Sequence, residues 1–188
     1  MKKYNIIYAD PAWKYGSSQV CKYNGERFHK LDKIYPTMSD EDIKNLRVKD
    51  ITDDDAVCFL WVTDSHIKEG LEVMKAWGFD YKTIAFNWVK TTNKGNICYN
   101  LGAWTLKSWE ICLLGTKGKM LQYKKNNKIK CLLFAERTAH SKKPQEIRDS
   151  IVELFGDLPR VELFARQKTE GWDVWGNEVE SDINLESE

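Results

Sequence analysis

Tyr4-Asn5-Ile6-Ile7-Tyr8-Ala9-Asp10-Pro11-Ala12-Trp13-Lys14-Tyr15 decides how this chain is read. Asn5 to Ala9 has the make-up of a buried strand. Pro11 ends it, because a proline cannot donate to a sheet ladder. Asp10 therefore falls at the carboxyl end of a strand, where open α/β sheets form their ligand crevice. A carboxylate, the backbone carbonyl of Pro11 and the flat ring of Trp13 together suit a planar amine. The two acceptors take hydrogens from an exocyclic NH2, and the indole stacks on the ring that carries it. The plainer alternative is an Asp-Pro turn followed by a core tryptophan.

The rest of the chain narrows the class. At 188 residues and 22.0 kDa it is expected to form one domain over residues 1–178, followed by an acidic, frayed tail over 179–188. The formal charge is only +1, so no general basic field draws it to nucleic acid and any such binding needs a local patch. Eight tryptophans exceed what a core of this size needs, and some are expected to serve as stacking surfaces. Cys21, Cys58, Cys98, Cys112 and Cys131 are scattered, with no CxxC pair. This points to reduced thiols in a cytoplasmic protein with no metal site. No apolar run reaches membrane length, and no signal peptide opens the chain.

Taken in order, 16–37 is a long polar loop, read either as a flap over the site or as a solvated loop. Ser39 caps a helix that begins with three acids. Residues 56–62 form a continuous apolar run, suited to a strand covered on both faces. Ile67, Leu71 and Met74 mark a helix that Gly78 closes. Further strands are expected at 81–89, 109–115, 129–134 and 160–165, with a helix opening at Pro144 and ending at Gly156. Lys117–Lys130 carries six lysines in fourteen residues; it is either a solvated hairpin or an arm that contacts phosphates. Strands alternating with helices indicate an α/β fold with a mostly parallel sheet. Neither GxGxxG nor a Walker loop is present.

Seven stretches, in this order, resemble the MT-A70 family of S-adenosylmethionine-dependent adenine-N6 methyltransferases. They are 9–13 (ADPAW), 35–40 (YPTMSD), 59–63 (FLWVT), 87–91 (NWVKT), 109–118 (WEICLLGTKG), 140–147 (HSKKPQEI), and 161–166 (VELFAR) with 171–177 (GWDVWGN). The resemblance implies a Rossmann-like methyltransferase fold in permuted order. The catalytic strand comes first, the cofactor strand last, and the two lie side by side in the middle of the sheet.

By position it implies that Asp10, Pro11 and Trp13 are catalytic. Asp10 and the Pro11 carbonyl would take the two N6 hydrogens, and Trp13 would stack on or flank the adenine. Lys143, Phe164, Arg166, Asn177 and Glu178, with Asp10, would hold S-adenosylmethionine. Tyr35, Trp88 and Glu110 would surround the base, and Lys124 and Lys125 of the lysine-rich arm are added as substrate contacts. Ala12 stands where the family motif has a second proline. Longer members carry an upstream segment that contacts the cofactor's adenine. The substrate expected is DNA, in a short enzyme of microbial or viral type. RNA, or an inactive nucleic-acid-binding partner subunit, are the alternatives. Such subunits lack the motif's acid, which is present here. Target sequence is not legible, and an oligomer is compatible with this reading.

Overall fold

The computed structural model describes residues 2–14, 22–23, 26–27, 38–102, 104–137 and 142–185. Seven strands form one sheet in the order β7-β5-β6-β4-β1-β8-β9. These are β1 (Tyr4–Ala9), β4 (Thr52–Val62), β5 (Asp80–Thr91), β6 (Trp109–Lys117), β7 (Leu132–Glu136), β8 (Arg160–Leu163) and β9 (Asp173–Trp175). A separate small ribbon pairs β2 (Lys22–Tyr23) with β3 (Glu26–Arg27). In the large sheet only β6 runs antiparallel, paired with β4 on one side and β5 on the other. The architecture is α/β with a mostly parallel sheet, consistent with a Rossmann-like methyltransferase fold.

Alternation along the strands explains the layers. In β4, Ala56, Cys58, Leu60 and Val62 face one core, and Val57, Phe59 and Trp61 face the other. Successive strand residues point to opposite faces, so a run apolar at every position needs cover on both sides. The first core is roofed by α1 (Asp40–Asn45), α2 (Val48–Ile51) and α3 (Ile67–Ala76), with Ile43, Ile51, Val73 and Met74 buried in it. The second lies under α4 (Gln145–Phe155) through Ile147, Ile151 and Phe155. Ser39 caps α1 as expected, its hydroxyl accepting from the Asp42 amide at 3.1 Å. Gly78, at φ +87°, closes α3 in a backbone conformation that favours glycine.

The strand expected at 160–165 stops at Leu163, and β9 follows it, so β8 is not the last strand. β8 does lie beside β1, with Ala9 opposite Leu163, but the pair sits towards one edge of the sheet rather than in its middle. The segment after 178, expected to fray, is packed as far as Leu185. Asp182 bonds the outer edge of β9 twice, through its own amide to the Val174 carbonyl (2.8 Å) and through its carboxylate to the Val174 amide (2.9 Å). Leu185 is 1% exposed in the first core. Unpaired strand edges are costly to leave open, and this acidic segment covers one. Cys58, Cys98, Cys112 and Cys131 are free thiols. Among the described residues no helix is long and apolar enough to cross a membrane.

Candidate active site

Asp10 leaves the end of β1 on the α4 side of the sheet. Lys143, on the approach to α4, reaches both of its oxygens, with Nζ 2.7 Å from Oδ1 and 2.6 Å from Oδ2. The same ammonium lies 3.2 Å from Oε2 of Glu110, near the start of β6. Lys90, at the end of β5, bonds the other oxygen of Glu110. Four charged side chains from four elements thus form one chain, Asp10–Lys143–Glu110–Lys90. Two indoles floor it, with Lys143 5.3 Å above the Trp61 ring and Lys90 5.2 Å above Trp88.

Burial sets the electrostatics. The Lys143 side chain is 5% exposed and that of Asp10 is 23% exposed. Burial pushes the Asp10 carboxyl up; Lys143 pulls it back and Glu110 adds a further push, and the outcome is a raised value. Burial would lower Lys143, but Asp10 and Glu110 together hold it well above an ordinary lysine, so it stays an ammonium. Burial also opposes ionisation of Glu110, yet Lys143 and Lys90 override it and hold Glu110 down to about 2.

Glu110 therefore adds stability that is fully present above its ordinary 4.5 and is lost as pH falls towards 2. Denaturant titrations at pH 5 and pH 3 should show this as a loss of about 2 kcal/mol that Glu110→Gln removes. Equal pH dependence in the two proteins would mean that the ion chain does not form.

Other candidate residues are placed differently from expectation. Pro11 is buried, and its carbonyl already accepts the Trp13 amide at 3.0 Å, which leaves one lone pair for a substrate. Trp13 does not stand free in the crevice. It is 6% exposed, donates Nε1–H to the Trp61 carbonyl at 3.0 Å, and stacks on His66 with centroids 5.5 Å apart. The ring is held between the end of β4 and His66, which precedes α3, and so fixes the Asp-Pro turn.

Trp88, expected to line the base pocket, is 2% exposed in the second core and bonds the Ala135 carbonyl at 3.0 Å. Its ring lies under the Lys90 ammonium. Tyr35 lies outside the described residues, as does the expected flap apart from the backbone of its ribbon.

Lys124 and Lys125 are not brought to the site. β6 runs opposite to β1, so it delivers Lys117 to the far end of the sheet, opposite Ala56 at the start of the apolar run of β4. Asp10, one residue past the Ala9–Leu60 pair, is therefore separated from the arm's root by about 15 Å of strand. The arm is tied down there. Asp55 accepts from the Lys119 amide (2.6 Å), Gln122 (3.0 Å) and Tyr123 (3.3 Å), and the Lys125 amide bonds the Leu154 carbonyl at 2.7 Å. Lys124 and Lys125 thus stand on a braced loop at the far end of the sheet from Asp10.

Phe164, Arg166, Asn177 and Glu178 are brought together. Phe164 is the one non-glycine described with positive φ (64°), and such a backbone costs on the order of 1–3 kcal/mol. It packs edge-on against Trp175 at 5.4 Å. Ala165 bonds the Trp175 carbonyl at 2.9 Å, and Gly176 passes so close that a Cβ there would sit 2.1 Å from the Ala165 carbonyl oxygen. This contact folds 176–178 back over the end of β8, and Arg166 pairs with Glu178 at 3.5 Å. Arg166 is also near enough to Asp10 to act on its charge.

Lys90 was not singled out from the sequence, although it lies two positions after Trp88. On a strand that places both on one face, with Trp88 directly opposite Glu110 in the β5–β6 ladder and Lys90 diagonal to it.

The MT-A70 family model matches residues 4–178. The chain is 36% identical over 189 residues to the Type II methyltransferase M.MunI of a Mycoplasma species, covering 95% of this chain and 78% of that one. It is 30% identical to the N(6)-adenosine-methyltransferase subunit METTL3 of Danio rerio and 31% identical to the N(6)-adenosine-methyltransferase MT-A70-like protein of Drosophila melanogaster. Each match covers 95% of this chain but only 28% and 27% of those relatives. With the family model spanning nearly the whole chain and a relative 36% identical over most of its own length, the chain belongs to the MT-A70 family.

Proposed function

We propose that this chain transfers a methyl group from S-adenosylmethionine to N6 of adenine in DNA, in the cytoplasm. The observation that carries the reading is a desolvated carboxylate, Asp10, held by Lys143 beside a second polar cluster at Phe164–Glu178.

The chemistry of that second cluster fits the cofactor. A guanidinium suits a carboxylate, a carboxylate suits neighbouring sugar hydroxyls, and an amide both donates and accepts. Arg166, Glu178 and Asn177 supply these groups, and the strained turn at Phe164 gives them a fixed frame. S-adenosylmethionine, when bound, supplies an electrophilic methyl on a cationic sulfur.

The residues of this chain prepare the nitrogen. The N6 lone pair of adenine is delocalised into its ring, which makes it a weak nucleophile. Asp10 and the free lone pair of the Pro11 carbonyl draw on its two hydrogens, favour a pyramidal nitrogen and localise the pair. No covalent enzyme intermediate is needed, so the work is positioning and electrostatics. After transfer the nitrogen carries one proton too many, and a carboxylate with a raised pKa is well suited to take it.

The chain spans 78% of M.MunI, named a Type II methyltransferase, but only 28% of the relative named an N(6)-adenosine-methyltransferase subunit, and this favours DNA over RNA. The intact, engaged Asp10 argues against an inactive partner subunit. Arg166→Ala and Asn177→Ala should each weaken S-adenosylmethionine binding by about ten-fold or more in a calorimeter, the cost of one charge-assisted hydrogen bond. Unchanged affinity in both would require another cofactor crevice. Single-stranded DNA, duplex DNA and RNA assayed side by side with the unaltered chain test the substrate; methylation of RNA alone would overturn the choice of DNA.

A further inference from the structure

Six of the eight tryptophans are buried: Trp13, Trp61, Trp77, Trp88, Trp172 and Trp175. The other two, Trp104 and Trp109, belong to one structure at the crevice. Segment 92–108 leaves the end of β5 just past Lys90 and returns to β6 just before Glu110, so its two legs straddle the ion chain that holds Asp10. It is a hairpin. Asn100 and Lys107 exchange both backbone bonds, at 2.7 and 2.8 Å, and the Cys98 amide bonds the Lys90 carbonyl at 2.8 Å. Arg137 braces it through Asn100 (3.1 Å), and Lys107 pairs with Asp64 beyond the end of β4. Near the tip stands Trp104, 95% exposed, with Tyr99, Leu101 and Leu106 exposed along the same hairpin.

A bare indole costs free energy in water, and contiguous apolar exposure of this kind marks a binding surface. Its surroundings indicate the partner. Lys14, Lys94, Arg137 and Lys142 are exposed on loops at this end of the sheet. Aromatic plates interleaved with cations match stacked bases on a phosphate backbone.

The geometry points to a base-stacking wedge: Trp104 enters duplex DNA and fills the stack left by the adenine that turns towards Asp10. This rests on the proposed action on DNA and adds to it the double-stranded form of the substrate. An adenine inside a duplex cannot reach Asp10, and extruding it leaves a gap whose neighbours have lost their stacking partner. An inserted apolar side chain offsets that loss. The braced hairpin grows from the strand ends that carry Lys90 and Glu110, and it takes only backbone bonds from Lys90, whose side chain stays in the ion chain.

The test is equilibrium binding, by fluorescence anisotropy, to two labelled duplexes of the same sequence, one fully paired and one with an abasic site at its centre. The unaltered protein should prefer the abasic duplex by about ten-fold, within the range of one base–aromatic stack. Trp104→Ala should reduce the preference to within about two-fold, and Trp104→Phe should keep most of it. Absence of any preference in the unaltered protein, or its survival in Trp104→Ala, overturns the proposal. So does a sedimentation experiment in which Trp104→Ala converts a dimer into a monomer, since the surface is then a contact between copies. The assay needs no methyl transfer: a preserved preference without methylation would defeat the enzymatic reading and leave the wedge standing.

Discussion

Replacing Asp10 by asparagine is expected to lower methyl transfer by at least ~10²-fold while leaving the fold and S-adenosylmethionine binding largely intact. Asparagine keeps the size of the side chain and one acceptor oxygen. It loses the charge that draws on the N6 hydrogens and the basicity that takes the surplus proton. Lys143 retains Glu110 at 3.2 Å, so its ammonium is not left unpaired. Circular dichroism and cofactor calorimetry distinguish this outcome from unfolding. Near-normal turnover by a folded Asp10→Asn protein would remove Asp10 from the chemistry.

Lys143→Met should act on the same carboxylate by another route. Without the ammonium, Asp10 and Glu110 are two like charges in a poorly solvated crevice. The pKa of Asp10, already raised by burial, must rise further. In the proposed mechanism Asp10 acts as a carboxylate, so the rate is expected to fall as pH drops through its pKa. In the variant that fall should begin at higher pH, moving the acid limb of the pH–rate profile towards neutrality. Removing one partner of a buried ion pair also costs about 3–5 kcal/mol of stability, which chemical denaturation reads. A variant that is destabilised but keeps the wild-type acid limb would make Lys143 a structural residue with no hold on Asp10.

Much of this was legible in the chain. The apolar run at 56–62 announced a strand covered on both faces, Ser39 and Gly78 announced helix ends, and Asp10 announced the mouth of a crevice. What was not legible is tied to direction and distance. Nothing in Trp109–Lys117 says that this strand runs against its neighbours, and that reversal is what sends Lys124 and Lys125 away from Asp10. Trp13 and Trp88 look alike on paper as flat plates near a site; only packing against His66 and under β7 shows them as core. Conversely, Trp104 sits between the strands expected at 81–89 and 109–115, where exposure cannot be inferred from residue type. The acidic composition after residue 178 predicts solvation, but the open edge of β9 gives Asp182 backbone groups to bond, and Leu185 is buried in the first core.

Nucleoside mass spectrometry of duplex DNA incubated with S-adenosylmethionine and either the unaltered chain or Asp10→Asn tests the central claim most directly. N6-methyladenine should form with the unaltered chain and fall to at most about one hundredth of that yield with the variant. Methylation at another base atom, or equal yields from the two proteins, would contradict the assignment of this crevice to adenine-N6 chemistry.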